Sequence, residues 1–539
     1  MFLDNPALPK PPTDEEKYSY VKPQPLGLSI STAVVAIAFG WGSFLFLNNK
    51  PPYLQVYGVF VILVSLGLLW SALLYLLAKP LDIEWWEYKK KWTYQDLEKY
   101  PSVAVFLPSC GEDLALLNQC FYYISKIDYP NYKVYSLDDS NRSTVKSMAN
   151  RYGFEYIARE DGSWKKSGNL RNAFAQTNEE LILILDADFA PHSSIIKEMA
   201  WTFYDDPDLG LLQTPHFFRP EKRQNILERG ANQIQLVFWK VIQNSRDKIG
   251  RGSAICCGSN SMFRRASIEP HGGTALANRS EDVCSGLLVV STTAPSGNKY
   301  KLRYLPLCLA TGLSPNTLSS YVNMLNRWVS GCYQVRFSKR LFNRRVPLSI
   351  KFAYMGSAVS FLICGLGVVG FAIPSLVNVM FYPEYLKWEN YLIILPAIFL
   401  LVFIRARWSV GLWDSSLFFV TFITGYIAFS STIAFLKGDM APWVATGQKR
   451  VKGAAHAQFM FFIRWIPQLG LGFILAGIYK NWNLIDNYAF IPALLIWIIK
   501  FWTSRAVLKM DESERLVNLS LQAVEERDLE LSVKNQFRT

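Results

Sequence analysis

The stretch LILILDADFAP at residues 181–191 runs an aliphatic segment straight into two aspartates spaced one apart, Asp186 and Asp188. Carboxylates crowded at one edge raise each other's pKa unless a cation sits among them, so the pair suits a divalent metal. Hard oxygen ligands on a loop with open positions favour Mg2+ or Mn2+, and no Cys/His set of zinc spacing occurs in the chain. The plainer use of two such acids is to cap the helix that follows. Lys166, in KKSGNLRNAF, lies beside a glycine at an expected helix start, where free amides and the helix dipole favour phosphate. Metal-binding and phosphate-binding groups together point to a nucleotide or nucleotide-sugar; the plain alternative for Lys166 is a solvated surface lysine.

Those residues need elements to hold them. Between about 99 and 340 short apolar segments alternate with helical patterns: VAVFLP (103–108), YKVYSLDD (132–139), FEYIA (154–158) and LILILDAD (181–188). Continuous apolar strands separated by helices predict an α/β domain, a mostly parallel sheet with helices on both faces. Ligands of such sheets sit beyond the carboxyl ends of the strands. Three of these ends carry polar residues: Ser109, Gly111 and Glu112; Asp138 and Asp139; Asp186 and Asp188.

The rest of the 539-residue chain is strongly apolar, with 50% hydrophobic residues overall. Blocks near 26–47, 53–78, 353–380, 390–404, 414–436, 457–479 and 487–503 approach the length that crosses a bilayer as a helix. Lys89, Lys90 and Lys91 after the second block, and Arg405 and Arg407 after the fourth, place the loops that hold them in the cytoplasm. The loop with Lys449, Arg450 and Lys452 asks for the same side. The block between, 414–436, is therefore expected as an interfacial or re-entrant helix, leaving about six spans with both termini cytoplasmic. The net charge of +13 then reflects topology and anionic headgroups, and no nucleic-acid-binding motif is present. The eight cysteines form no CxxC pair and are expected as reduced thiols.

An ordered set of motifs resembles the membrane-embedded processive family 2 glycosyltransferases, and among them the cellulose synthase-like β-glucan synthases. PSCGED (108–113) looks like the first nucleotide-binding loop, SLDDS (136–140) like the uridine-binding aspartate pair, and KSGNL (166–170) like the diphosphate-contacting lysine motif. LDAD (185–188) looks like the metal-binding DxD and QTPHFF (213–218) like a segment lining the acceptor site. SED (280–282) is similar to the TED motif, and LNRWVSG (325–331) to the QxxRW region.

The resemblance implies a GT-A domain that binds its nucleotide-sugar through Ser109, Glu112, Asp138, Asp139, Lys166, Asp186 and Arg327. Asp188 and Asp186 would hold Mg2+ or Mn2+, and Asp282 would be the base that deprotonates the acceptor hydroxyl. Arg327 would grip the diphosphate, and Trp328, with His216 and Glu281, would face the acceptor sugar. Two departures stand out: the family's glutamine falls at Met324, which lacks the amide's hydrogen-bonding pair, and its threonine at Ser280. MAPWVATGQKR (440–450) resembles a gating loop, with Trp443, Thr446 and Lys449 as its marks.

The implied organisation is a leader (1–25), spans one and two (26–80), the GT-A domain (99–324), interfacial helices (325–352), spans three and four (353–410), an interfacial or re-entrant helix (414–436), the gating loop (437–455), spans five and six (457–505) and a cytoplasmic tail (506–539). That tail is expected as a short amphipathic helix followed by disorder, too short for a PilZ-type domain. The implied activity is processive, inverting polymerisation of a β-linked glucan from UDP-glucose, with export of the growing polysaccharide across the lipid bilayer, in the plasma (inner) membrane. Homo-oligomers or accessory subunits fit such a machine. Rival readings are a hyaluronan- or chitin-like synthase using UDP-N-acetyl sugars, and a non-processive lipid-carrier glycosyltransferase. A transporter or receptor would place ionisable residues within the spans, whereas the acids here cluster between them.

Overall fold

The computed structural model describes residues 8–48, 54–96, 100–221, 224–250, 252–277, 280–370, 372–388, 415–438, 454–485 and 488–536. Helices α1 (Pro25–Asn48) and α2 (Leu54–Tyr75) pack on each other ahead of the soluble domain. Their outward faces are apolar, with Ile37, Trp41, Leu66 and Trp70 all exposed, as lipid contact requires. A third helix, α3 (Ile83–Asp96), leads into the sheet.

The domain is built on a seven-stranded sheet in the order β3-β2-β1-β4-β7-β6-β8. Its first half is parallel: β1 (Val103–Ser109) lies between β2 (Tyr132–Asp138) and β4 (Leu181–Ile184), with β3 (Glu155–Ala158) outside β2. Helices α4 (Leu114–Ile124), α5 (Ser143–Arg151) and α6 (Lys165–Gln176) make the crossovers. Alternation along the strands feeds two cores. Val103, Val105, Leu107, Leu181 and Leu183 enter one, while Ala104, Phe106, Ile182 and Ile184 enter the other. Both faces are therefore covered, which is why these strands read as continuous apolar runs.

The short β5 (Ala190–Pro191) and helix α7 (Ile195–Asp205) follow, then β6 (Leu209–Gln213) and α8 (Ile226–Val237). A π-helical segment, Phe238–Gln243, continues α8 into α9 (Asn244–Asp247). Strand β7 (Ser261–Arg264) runs antiparallel to both β4 and β6. After α10 (Arg265–Ile268) and α11 (Glu281–Ser291), β8 (Lys301–Tyr304) closes the sheet and β9 (Ala310–Thr311) pairs with β5. Helix α12 (Leu318–Arg336) leaves the domain for α13 (Leu348–Gly370) and α14 (Ile373–Phe381).

The leader is part of the domain. Tyr20 and Val21 are buried in the two cores, and Arg219 donates to Glu16 at 2.7 Å. Lys17 and Lys90 meet the fully buried Glu198 at 2.9 and 2.7 Å, and Trp86 Nε1 donates to it at 2.9 Å. A buried carboxylate is tolerated only with such partners.

Among the described residues five helices are long and apolar enough to cross a membrane: Pro25–Leu45, Leu348–Phe381, Ser416–Leu436, Ala455–Leu484 and Ile491–Leu516. The expected span at 390–404 lies outside the described residues. The block expected as interfacial or re-entrant is one unbroken helix, α15 (Ser415–Leu436), and it packs against α8 as well as against α13. Gly230 of α8 abuts Val420, with room for no side chain, and Gln233 donates to Ser416 at 3.1 Å. Helix α16 (Ala454–Asn481) follows. The tail departs from expectation: the last block and the residues after it form a single helix, α17 (Ile491–Gln536), 46 residues long.

Candidate active site

At the carboxyl edge of the sheet, Ser109 and Asp138 end β1 and β2 in register. The fully buried Asp138 carboxylate is consumed by its own loop. It accepts from Ser140 N and Oγ at 3.1 and 2.6 Å, from Arg142 N at 2.8 Å and from Tyr156 Oη at 3.2 Å. Asp139 takes the Arg159 guanidinium side-on, at 2.7 and 2.9 Å, and Arg159 also donates to Ser163 O and Lys165 O. A bidentate charge-assisted pair thus ties the second strand end to the loop that launches Lys166. Glu112 folds back onto Cys110 N at 2.6 Å, while Arg142 donates to Glu112 O at 2.7 Å. Burial, aided by the charge of Asp186, raises the Glu112 pKa.

Lys166 stands in the first turn of α6 and ion-pairs with Asp186, just beyond β4. Burial opposes its charge, but the Asp186, Glu281 and Asp282 carboxylates outweigh that and hold it protonated. Among the described residues Asp188 makes no ion pair: burial first, then the charges of Asp186 and Glu112, push its carboxyl well above the ordinary range against the opposing charge of Lys166. Among the described residues no group of three or more His, Cys, Asp or Glu converges as a metal cage.

Asp282 lies in the first turn of α11, after Ser280 in the left-handed region at φ 50°. Gly258, in the loop CGSN (257–260), lies beside both Asp282 and Lys166. Its φ of +85° turns the CGSN loop inward, and a side chain there would lie 3.3 Å from Asp282 Oδ2 and 3.5 Å from Lys166 Nζ. Asp282, Glu281, Lys166, Cys256 and Ser285 line one recess with that glycine. Burial, then the neighbouring Glu281, raises Asp282 to about 7.

Sequence reasoning missed the posts behind this loop. The buried Gln213 donates to Thr214 O, Ser259 O and Asn260 O and accepts from Cys257 N at 2.8 Å. Ser259 Oγ then receives Asp186 N at 2.9 Å. His216 donates to Ser259 O at 3.0 Å and packs against Trp239, and burial lowers it to about 4, so it is neutral at pH 7. Arg142 and Arg159 carried no motif signal, and Gln213, within QTPHFF, gave no sign that it fastens the loop 257–260, because those partners lie in other parts of the sequence.

Helix α12 is pressed onto this recess. A Cβ on Gly331 would lie 1.9 Å from Ser280 Oγ and 3.2 Å from Ser280 Cβ, so the two helices' ends approach closely here. Arg327, one turn earlier, shares that face of the helix. Among the described residues its guanidinium has no ion pair or hydrogen bond. Met324 and Trp328 are partly buried against a cluster containing Tyr321, Phe422 and Tyr426. Trp443, Thr446 and Lys449 lie outside the described residues.

Residues 104–272 match the family described as Glycosyl transferase family 2. The chain is 29% identical over 277 residues to a cellulose synthase catalytic subunit (UDP-forming) of Pseudomonas fluorescens, covering 50% of this chain and 36% of that one. It is 31% identical over 287 residues to the cellulose synthase 1 catalytic subunit (UDP-forming) of Komagataeibacter xylinus, covering 52% and 36%. The match thus spans about a third of the length of these relatives. Among solved structures, a mannosyltransferase of Pyrobaculum calidifontis in complex with GDP-Man and Mn2+ aligns at TM-score 0.40 and 16% identity, covering 66% of this chain and 94% of that one. Over residues 104–272 the chain is thus similar to family 2 glycosyltransferases, and over about half its length to cellulose synthase catalytic subunits.

Proposed function

We propose that the protein is a processive, inverting glycosyltransferase that builds a β-linked glucan from UDP-glucose in the cytoplasm and passes it through its membrane helices. The observation that carries this reading is the recess that Lys166, Gly258 and Asp282 line together, which brings three separated stretches of sequence to one place. The preference for UDP-glucose rests on the cellulose synthase relatives.

In this reading Asp282 takes the proton from the acceptor hydroxyl as that oxygen attacks the anomeric carbon and the nucleoside diphosphate departs from the opposite face. A carboxyl raised to about 7 is a better base than an ordinary aspartate and still ionised enough at neutral pH. Lys166 and Arg327 would meet the diphosphate, and Trp328 would stack on the terminal sugar. Asp139 acts through Arg159 by fixing the Lys166 loop, and Asp138 by fixing its own turn.

The donor set fits Mg2+ or Mn2+. Asp186 and Asp188 are hard oxygen ligands, and the raised Asp188 carboxyl marks negative charge that a divalent ion would relieve. Two carboxylates do not enclose an ion, so the diphosphate oxygens would complete the shell. When bound, the metal neutralises charge on the leaving diphosphate. Trp443, Thr446 and Lys449 are assigned to a lid over the nucleotide.

The test is Asp282→Asn. Synthesis should fall about 10²–10⁴-fold, the range for loss of a general base, while UDP affinity stays near wild type. A variant that keeps its rate refutes the assignment of the base.

A further inference from the structure

Helix α12 carries Arg327 and Trp328, and its first turn is satisfied from the far end of the chain. Thr317 caps it by accepting from Ser320 N at 3.2 Å. The remaining leading amides, Leu318 N and Ser319 N, both donate to the carboxylate of Glu514, and Ser319 Oγ donates to it at 2.8 Å. A carboxylate at a helix N-terminus is favoured by the unsatisfied amides and by the dipole. Glu514 is 195 residues away in sequence from Ser319, on α17, beyond the apolar stretch.

The contact is one of three on the same face. Val507 is fully buried in the cluster that holds Tyr321 and Leu325 of α12 and Phe459 and Ile463 of α16. Asp511 Oδ1 stands 3.7 Å from His456 Nε2, in the first turn of α16. Residues spaced four and then three apart fall on one helical stripe. That stripe joins the helix bearing Arg327 and Trp328 to the helix that begins five residues after Lys449. Farther along α12, Gly331 abuts Ser280, two residues before the base. Arg327 and Trp328 thus lie between two fixed points.

We propose that Glu514 is a positioning residue: by holding the first turn of α12 it sets where Arg327, assigned to the diphosphate, and Trp328, assigned to the acceptor sugar, stand relative to Asp282. The proposal rests on the roles given above to those α12 residues. Glu514 touches no reactant; it acts through the helix. The extension of α17 past the membrane is then a brace for the active site.

Two readouts on the full chain in nanodiscs separate this from a simple helix cap. The first is hydrogen exchange across residues 318–336, which requires no substrate. Glu514→Ala should speed exchange through Gly331 about tenfold or more while 103–109 and 181–184 stay at wild-type rates; change confined to the first turn would reduce Glu514 to a cap and overturn the proposal. The second is kinetic. Small misplacements of binding groups are costly, so Glu514→Ala should lower the synthesis rate about tenfold and, through Arg327, raise donor KM by more than about twofold. Glu514→Gln, which keeps an acceptor oxygen, should recover at least half the rate. Wild-type rate in Glu514→Ala, or an equal loss in Glu514→Gln, overturns the proposal. If the wild-type chain polymerises no UDP-sugar but the exchange result appears, the proposed function has failed and the brace stands.

Discussion

The carboxyl edge of the parallel sheet borders the recess and helix α12 abuts Ser280 beside it, but they are held there by opposite means. At the sheet edge, position comes from charge and hydrogen bonds: Asp138 serves its own turn, Asp139 holds Arg159, and Gln213 fastens the CGSN loop. Beyond its first turn, α12 is held by shape, with Gly331 against Ser280 and Tyr321 and Leu325 inside an apolar cluster. The edge should therefore tolerate small changes of size and fail when a charge is removed. The helix should do the reverse.

Gly331→Ala is the first test of that contrast, because the new methyl would sit 1.9 Å from Ser280 Oγ and 3.2 Å from its Cβ, so the hydroxyl must rotate away and α12 or the start of α11 must give by a few tenths of an ångström. Synthesis should fall about tenfold or more, with UDP binding weakened in step through Arg327; a fully active variant would show that shape does not hold α12. Asp139→Asn tests the other half, since it frees Arg159 from a nearly buried ion pair at constant volume. The Lys166 loop should loosen, raising donor KM about tenfold, equivalent to roughly 1.4 kcal/mol. A loss confined to kcat with donor KM unchanged would break the assignment.

The smallest effect is in pH. Burial raises Asp282 to about 7, so the carboxylate proposed as the base is charged above that value and takes up a proton as pH falls through it. The log of kcat/KM should be flat above about pH 7 and fall with a slope near one below it. An unchanged rate down to pH 5 would place the base elsewhere.

Much of this was legible in the sequence. Strands β1 to β4 announce themselves because a sheet covered on both faces needs continuous apolar runs, and the polar residues at their ends follow from where such sheets bind ligands. What escaped were relations across the chain. Nothing in the neighbourhood of Arg159 or Gln213 names its partner, and Glu514 lies in a stretch that reads as a solvated tail. Helix α15 has the composition of a membrane span, yet one flank serves α8 of the catalytic domain. Composition reports the polarity of a surface, and here both a lipid tail and a protein core ask for the same residues. The buried role of the leader escaped for a related reason, since Lys17 and Glu16 look like solvated charges until Glu198 and Arg219 are placed beside them.

The central claim is most directly tested by incubating the purified full chain in nanodiscs with Mg2+ or Mn2+ and one radiolabelled UDP-sugar at a time. UDP-glucose alone should yield high-molecular-weight product that a β-glucanase degrades. Polymer from no UDP-sugar, or from an N-acetylated donor instead, would contradict the account.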